Sequence, residues 1–135
     1  MMAPLDYREF ERWFSSAEST LRSAESDHNS SFFNWACFKA EQAAEFSVKA
    51  YLKGIGLTSY GPTVSHLMKE AGFDKEMIDL AKSIDKNYIP TRYTDAWAEG
   101  IPEEYYGLND STDSIEIAKE ILEAVREKWT SLKEE

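Results

Sequence analysis

The sequence contains little cysteine, glycine or proline, and it has no long hydrophobic run. Its only cysteine, Cys37, cannot form an internal disulfide and lies in an apolar helical stretch, where we expect a small buried side chain rather than a catalytic thiol. No apolar segment is long enough to cross a bilayer or to form a secretion signal. We therefore expect a cytoplasmic protein.

Positive charge is also scarce, since 15 Lys and Arg stand against 25 Asp and Glu, for a formal net charge of −10. This balance argues against a broad surface for non-specific nucleic-acid binding, because such surfaces need many cations, but it allows a local basic patch. No His, Cys and carboxylate cluster has metal-ligand spacing, and there is neither a glycine-rich phosphate loop nor a nucleophile elbow. The sequence predicts no metal, no cofactor and no catalytic residue set.

A helical rhythm runs through the chain, which we interpret as one domain spanning residues 1–135. Apolar residues recur at steps of three and four, and no segment alternates with period two. This pattern predicts an all-α, antiparallel up-and-down bundle of four long helices plus one short helix. The first predicted helix has its apolar face at residues 7–24 and ends near His28, and the second covers residues 31–53. A short helix follows from a cap at Thr63 or Ser65 to Gly72, then one from a cap at Asp74 to near Pro90, and a last one from a capping box of Asp113 and Glu116 to Leu132.

The second predicted helix is unusually apolar. Its apolar arc leaves Phe38, Val48 and Leu52 outside and consists of Phe32, Phe33, Trp35, Ala36, Ala40, Ala43, Phe46, Ala50 and Tyr51. Such a wide arc predicts that this helix is central in the bundle and also forms a subunit interface.

A long irregular stretch, residues 89–110, separates the last two long helices, and loops of this length are often functional. Arg92 and Asp95 could form an ion pair that orders this loop. Alternatively, Arg92 could bind a phosphate or carboxylate, with Tyr88, Tyr93 or Trp97 as a stacking surface for a base. Further along the loop, we expect Tyr105 and Tyr106 to cover the end of the bundle.

Basic residues elsewhere could add to such a site. Lys39 falls within the apolar arc and is expected either to reach the surface or to be held by a buried acid. Lys49 is expected to pair with Glu45 one turn away. If Lys39, Lys49 and Arg92 converge, they would form a cationic phosphate pocket. His66 is expected to cap or brace the short helix and its loop, with a place in the ligand site as the alternative.

Three phrases taken together, "FFNWACFKAEQAAEFSVKAYLKGIGL", "VSHLMKEA" and "DKNYIPTRYTDAW", closely resemble the HEPN domain family, from about residue 7 to residue 125. The resemblance implies a helical bundle that forms a homodimer. It also implies a choice of functions, because some members pair with a minimal nucleotidyltransferase as toxin and antitoxin, others are metal-independent ribonucleases, and one branch binds nucleotides.

The ribonuclease members carry an Arg and a later His with four to six residues between them. After Arg92 those positions hold Trp97, Ala98 and Glu99, and the spacing from Arg22 to His28 lies in the first helix, outside the family's motif. The leading hypothesis is therefore a non-enzymatic or weakly active, dimeric module that binds a nucleotide such as ATP or GTP, or a nucleotidyltransferase partner. The alternatives are a metal-independent ribonuclease that acts on RNA with a departed motif, and a purely structural interaction protein.

Overall fold

The computed structural model describes residues 4–58 and 60–134, and these residues form helices and loops without any strand. The five helices are α1 (Tyr7–Asn29), α2 (Phe33–Gly54), α3 (Val64–Glu70), α4 (Lys75–Asp85) and α5 (Leu108–Lys133), with two short 3₁₀ turns at Thr94–Ala96 and Pro102–Glu104. The predicted all-α bundle of four longer helices and one short helix is confirmed. Within the described ranges, no helix is both long and apolar enough to span a membrane.

Helix α1 continues to Asn29, so His28 lies near its end, as predicted. It begins where the Asp6 carboxylate accepts a hydrogen bond from the backbone N–H of Glu9 at 3.0 Å, an N-terminal cap. A tight turn follows α1, in which Ser31 adopts a left-handed conformation with φ of 65°. This turn reverses the chain and lays α2 against α1.

Helix α2 lies at the centre of the bundle, as predicted, and touches each of the other four helices. Val48 and Leu52 are fully buried although the predicted apolar arc excluded them. The arc was too narrow because neighbours cover α2 on several sides rather than along one stripe.

The C-terminal end of α2 meets the start of α1 and the end of α5. The backbone N–H of Asp6 donates to the Gly54 carbonyl at 2.8 Å, and the Trp129 indole stacks on Phe10 with 4.3 Å between ring centroids. A Cβ on Gly54 would lie 2.5 Å from Trp129 Cζ3. Glycine is therefore required here by the close approach of the indole, whereas Gly56, with φ of 82°, adopts the left-handed conformation after the helix.

Helix α5 begins at Leu108, so the predicted start at a capping box of Asp113 and Glu116 is wrong. The backbone N–H of Gly107 donates to Asp110 Oδ2 at 2.8 Å, which caps the helix three residues before Asp113. The irregular stretch between α4 and α5 therefore covers residues 86–107, a shift of three residues toward the N-terminus from the predicted 89–110.

The caps of α3 and the end of α4 also differ from the prediction. Asp85, the last residue of α4, accepts hydrogen bonds from the backbone N–H of Val64 at 2.6 Å and of Ser65 at 3.3 Å. Thr63 occupies the N-cap position, as predicted, but its side chain makes no capping hydrogen bond, and the Asp85 carboxylate of α4 caps the helix instead. Helix α4 ends at this residue, earlier than the predicted end near Pro90.

Candidate functional site

Arg92 lies among aromatic side chains on the face of α2 that the loop covers. Its guanidinium carbon lies 4.2 Å from the ring centroid of Phe38, 4.7 Å from that of Tyr88 and 4.8 Å from that of Tyr93. Each of these is a cation–π contact. We call Arg92 with these three rings the Arg92 cluster, and it unites three residues of the predicted site, Arg92, Tyr88 and Tyr93, with one that the sequence interpretation missed, Phe38.

The predicted ion pair between Arg92 and Asp95 does not form. Arg92 Nε donates to the Tyr88 carbonyl at 3.0 Å, which directs the side chain back onto α2, while Asp95 is exposed in the turn Thr94–Ala96. Among the described residues, neither Nη group of Arg92 has a hydrogen-bond or ion-pair partner. The guanidinium is held in place by rings and a carbonyl, and its outer donors are free for a ligand.

Buried polar side chains fix the loop on which Arg92 lies. The amide of Asn34, a buried residue near the start of α2, donates to the Thr91 carbonyl at 3.0 Å. Asn87, on the other side of Pro90, donates from Nδ2 to Ser114 Oγ of α5 at 2.9 Å. The backbone on either side of Pro90 is therefore attached to two helices, which places Arg92 with little freedom.

Trp97 packs within the loop rather than against Arg92. Its indole stacks on Tyr105 with 3.8 Å between centroids, and its Nε1 donates to the Pro90 carbonyl at 2.8 Å. Tyr105 in turn donates its hydroxyl to the Glu99 carbonyl at 2.6 Å. Tyr106 is half-buried, and burial raises its pKa to about 12. These rings hold the loop together, so Trp97 is not part of the Arg92 cluster.

The buried carboxyl group of Glu41 lies close enough to Arg92 for the two side chains to interact electrostatically. Burial raises the pKa of Glu41 to about 8, and the charges of Glu45 and Asp85 raise it further, while a hydrogen bond from Gln42 and the charge of Arg92 act in the opposite direction. Glu41 Oε1 accepts from Gln42 at 2.7 Å, whereas Oε2 is buried without a hydrogen-bond partner in the described part of the chain. At neutral pH Glu41 is mostly uncharged, so it does not neutralise Arg92.

The two lysines of the predicted site are engaged by acids elsewhere. Lys39 Nζ lies 2.7 Å from Asp27 Oδ2 and donates to Ser23 Oγ at 2.9 Å, and both partners belong to α1. Lys49 pairs with Glu45 at 3.2 Å, which confirms the predicted helix pair. Each lysine has its own partner, and neither contacts the Arg92 cluster.

Neither histidine contacts Arg92. His66 is exposed on α3 with its Nε2 2.6 Å from Glu70 Oε1, so it does not brace the loop as predicted; Asp85 holds the start of α3 instead. His28 lies with Nδ1 2.5 Å from Ser111 Oγ.

Cys37 is buried, as predicted, and burial raises its pKa to about 11. Over residues 4–58 and 60–134, no group of His, Cys, Asp and Glu is arranged to hold a metal ion.

Comparison with known proteins identifies relatives of this bundle. Residues 10–128 match the HEPN domain family. Among solved structures, TT1696 from Thermus thermophilus is 31% identical with a TM-score of 0.84, over 88% of this chain and 97% of that one. ST0689, an archaeal HEPN homologue, is 34% identical with a TM-score of 0.78, over 88% and 96%. An HEPN domain protein from Thermotoga maritima is 27% identical with a TM-score of 0.72, over 88% and 98%. No curated protein matches the sequence.

Proposed function

This chain belongs to the HEPN domain family, and from that relationship we propose that it is a non-catalytic binding module that recognises a nucleotide through the Arg92 cluster. The observation that supports this proposal is the state of Arg92, whose guanidinium is held over three rings while both Nη groups lack a partner in the described chain. A guanidinium in this state offers a planar fork for phosphate oxygens.

Two features around Arg92 suit a nucleotide rather than a simple anion. The ring of Tyr93 is 51% exposed, so a base can stack on it while the phosphates reach Arg92. Because the loop is fixed through Asn34 and Asn87, little side-chain or backbone freedom is lost on binding, which favours affinity. The raised pKa of Glu41 leaves the positive charge of Arg92 available near neutral pH.

A protein partner at the same surface is the second candidate, and exposed apolar side chains beside the Arg92 cluster support it. Phe32, Trp35 and Ile89 are 54%, 39% and 48% exposed. Exposed apolar side chains of this size suit burial against another protein. We propose a second copy of this chain as the first such partner, giving a homodimer, and a nucleotidyltransferase of a toxin–antitoxin pair as the second.

Ribonuclease activity receives less support from the site. His28 and His66, the two histidines, are engaged with Ser111 and Glu70, and the acid near Arg92 is the buried Glu41. A proton-transfer group must reach the atom it serves, and none of these three does so at Arg92. We expect RNA to remain intact after prolonged incubation with the pure protein. Cleavage that disappears in Arg92→Gln would instead favour ribonuclease activity over the non-catalytic binding module.

The proposal is tested by thermal unfolding with ATP, GTP and AMP. We expect nucleotide to raise the Tm of the wild type, by an amount equivalent to about 2.7 kcal/mol when the ligand is present at roughly 100 times its Kd. The increase should vanish in Arg92→Gln and shrink in Arg92→Lys, which keeps the charge but loses the fork. Arg126, whose guanidinium carbon lies 4.3 Å from the Phe14 centroid, provides a matched control.

Arg126 also packs on an aromatic ring, on another face, but its guanidinium is ion-paired to Glu11 and Glu18. Arg126→Gln should therefore retain the nucleotide-dependent increase. An equal increase in wild type and Arg92→Gln would contradict the proposed site. Absence of any increase in the wild type would instead favour the protein-partner candidate, and sedimentation analysis of the wild type would then measure the homodimer directly.

A further inference from the structure

Two unsatisfied polar groups of opposite kind lie at the base of the Arg92 cluster. Glu41 follows Phe38 by three residues on α2, so both side chains lie on the same face of the helix, and the Phe38 ring contacts the Arg92 guanidinium. Glu41 is 0% exposed, and its Oε2 has no hydrogen-bond partner in the described chain. The Nη groups of Arg92 lack a partner there as well. A buried acceptor and a pair of donors therefore lie within electrostatic range of each other without being satisfied.

In the part of the chain that the structure describes, three charged side chains act on Glu41. They are Glu45 from the next turn of α2, Asp85 from the end of α4 and Arg92 from the loop. Glu45 is paired with Lys49 at 3.2 Å, and Asp85 accepts hydrogen bonds from the start of α3. Of the three, Arg92 alone favours an ionised Glu41, while burial and the two acids favour the neutral form.

An anion bound to Arg92 would bring further negative charge close to Glu41. Burial already raises the pKa of Glu41 to about 8, and a bound phosphate would raise it further because like charges disfavour ionisation. Linkage is reciprocal, so if bound phosphate favours the protonated acid, the protonated acid favours bound phosphate. An ionised Glu41 would repel the phosphates and would also offset the charge of Arg92 that attracts them.

We propose that Glu41 is a positioning residue whose protonated form favours nucleotide binding at the Arg92 cluster, so that binding takes up a proton from solvent in weakly alkaline solution. This role depends on the proposed nucleotide site and adds the regulation of that site by pH. Because its carboxyl group is buried, Glu41 does not touch the ligand and acts through the charge of Arg92.

The test is isothermal calorimetry with ATP at half-unit steps from pH 7 to pH 9, a range in which phosphate groups with a second pKa of about 6 are already ionised. The affinity of the wild type should fall across this range by up to about tenfold, the limit for one acid with a pKa of about 8. Glu41→Gln keeps the shape of the neutral acid and cannot ionise, so it should bind ATP equally at pH 7 and pH 9.

Glu45→Gln is the matched control, because it removes an acid one turn further along the same helix. It should retain the fall in affinity, which should begin at lower pH since the charge of Glu45 no longer raises the pKa of Glu41. Loss of the fall in Glu45→Gln, with the fall retained in Glu41→Gln, would assign the titration to Glu45 and overturn the proposal.

Proton uptake separates this role from a merely structural one. Calorimetry at pH 8.5 in two buffers of different ionisation enthalpy should show that ATP binding to the wild type takes up to about three quarters of a proton, and that binding to Glu41→Gln takes up none. A structural role would change the affinity and leave proton uptake the same in both proteins, and that result would overturn the proposal.

The contact between the two side chains can be tested without nucleotide. In an NMR titration of the Glu41 carboxyl carbon, Arg92→Gln should show a higher pKa than the wild type, because a charge that favours ionisation has been removed. An unchanged pKa would overturn the role of Glu41 whether or not nucleotide binds.

The outcomes distinguish this role from the nucleotide site itself. Equal affinity of the wild type for ATP at pH 7 and pH 9 would overturn the role of Glu41 and leave the nucleotide site standing. Failure of ATP to bind the wild type at pH 7 would contradict the nucleotide site, and the linkage with it. A fall in the wild type and in Glu45→Gln, together with proton uptake that Glu41→Gln lacks, supports the proposal.

Discussion

Glu41→Gln should be more stable than the wild type, and this difference in stability should grow as the pH rises. Glu41 is fully buried, and burial, assisted by the charges of Glu45 and Asp85, raises its pKa from 4.5 to about 8. An acid with a raised folded-state pKa stabilises the fold fully below its unfolded pKa, and this contribution is lost as the pH rises through the folded pKa. Glutamine keeps the shape of the neutral acid and cannot ionise.

The size of the effect follows from the two pKa values. Each pH unit between 4.5 and about 8 lowers the stability that Glu41 contributes to the wild type by about 1.4 kcal/mol, since the unfolded chain ionises and the folded chain does not. Between pH 5 and pH 7 the advantage of Glu41→Gln over the wild type should therefore grow by about 2.5 kcal/mol. Above pH 8 the advantage should level off.

The assay is urea unfolding of wild type and Glu41→Gln at half-unit steps from pH 5 to pH 9, with Glu120→Gln, an exposed site on α5, as the control. Only the difference between wild type and variant is compared, so the titration of acids that do not interact with Glu41 cancels. An advantage that stays constant from pH 5 to pH 8 would refute the reasoning, because Glu41 would then not be held neutral. The control should show no comparable growth.

Two further substitutions test the packing that positions the site. Gly54→Ala places a Cβ 2.5 Å from Trp129 Cζ3 and should destabilise the fold by about 1–3 kcal/mol in urea unfolding. Gly107→Ala is the control and should be tolerated, because its Cβ would meet only Asp110 Oδ2, at 3.9 Å. Equal effects of the two substitutions would contradict the close approach at Gly54. Asn34→Ala removes the bond to the Thr91 carbonyl and should speed proteolysis within residues 86–107, with a loss of about 1–3 kcal/mol; unchanged proteolysis would show that Asn34 does not hold the loop.

The helices could be predicted from the sequence because their apolar residues recur at helical spacing, and this held for α1, α2 and α5 despite errors at their ends. The position of Arg92 beside Tyr88 and Tyr93 could also be predicted, from its place in a long aromatic loop. The groups that contact the Arg92 guanidinium could not all be predicted. Asp95 at a spacing of three suits a helical pair, but the segment leaves the helical path, and a carbonyl and three rings take the guanidinium instead.

Glu41 and Asn34 were missed for a common physical reason. A helical wheel assigns polar residues to the solvent side, and α2 has almost no solvent side because four helices touch it. The signal that was present is the location of both residues within the most apolar helix of the chain. The cap of α3 was missed because its carboxylate, Asp85, lies 20 residues away in sequence from Ser65.

The meeting of Asp6, Gly54 and Trp129 has a practical consequence for experiments on this protein. The start of α1 and the end of α5 lie together at one pole of the bundle, where Tyr7 contacts Trp129 and the Lys133 ammonium lies 5.5 Å from the Tyr7 ring centroid. Phe38 of the Arg92 cluster lies about 24 Å along α2 from Gly54, toward the other pole. A tag or surface anchor attached at either end of the chain would therefore leave Arg92 facing free solution.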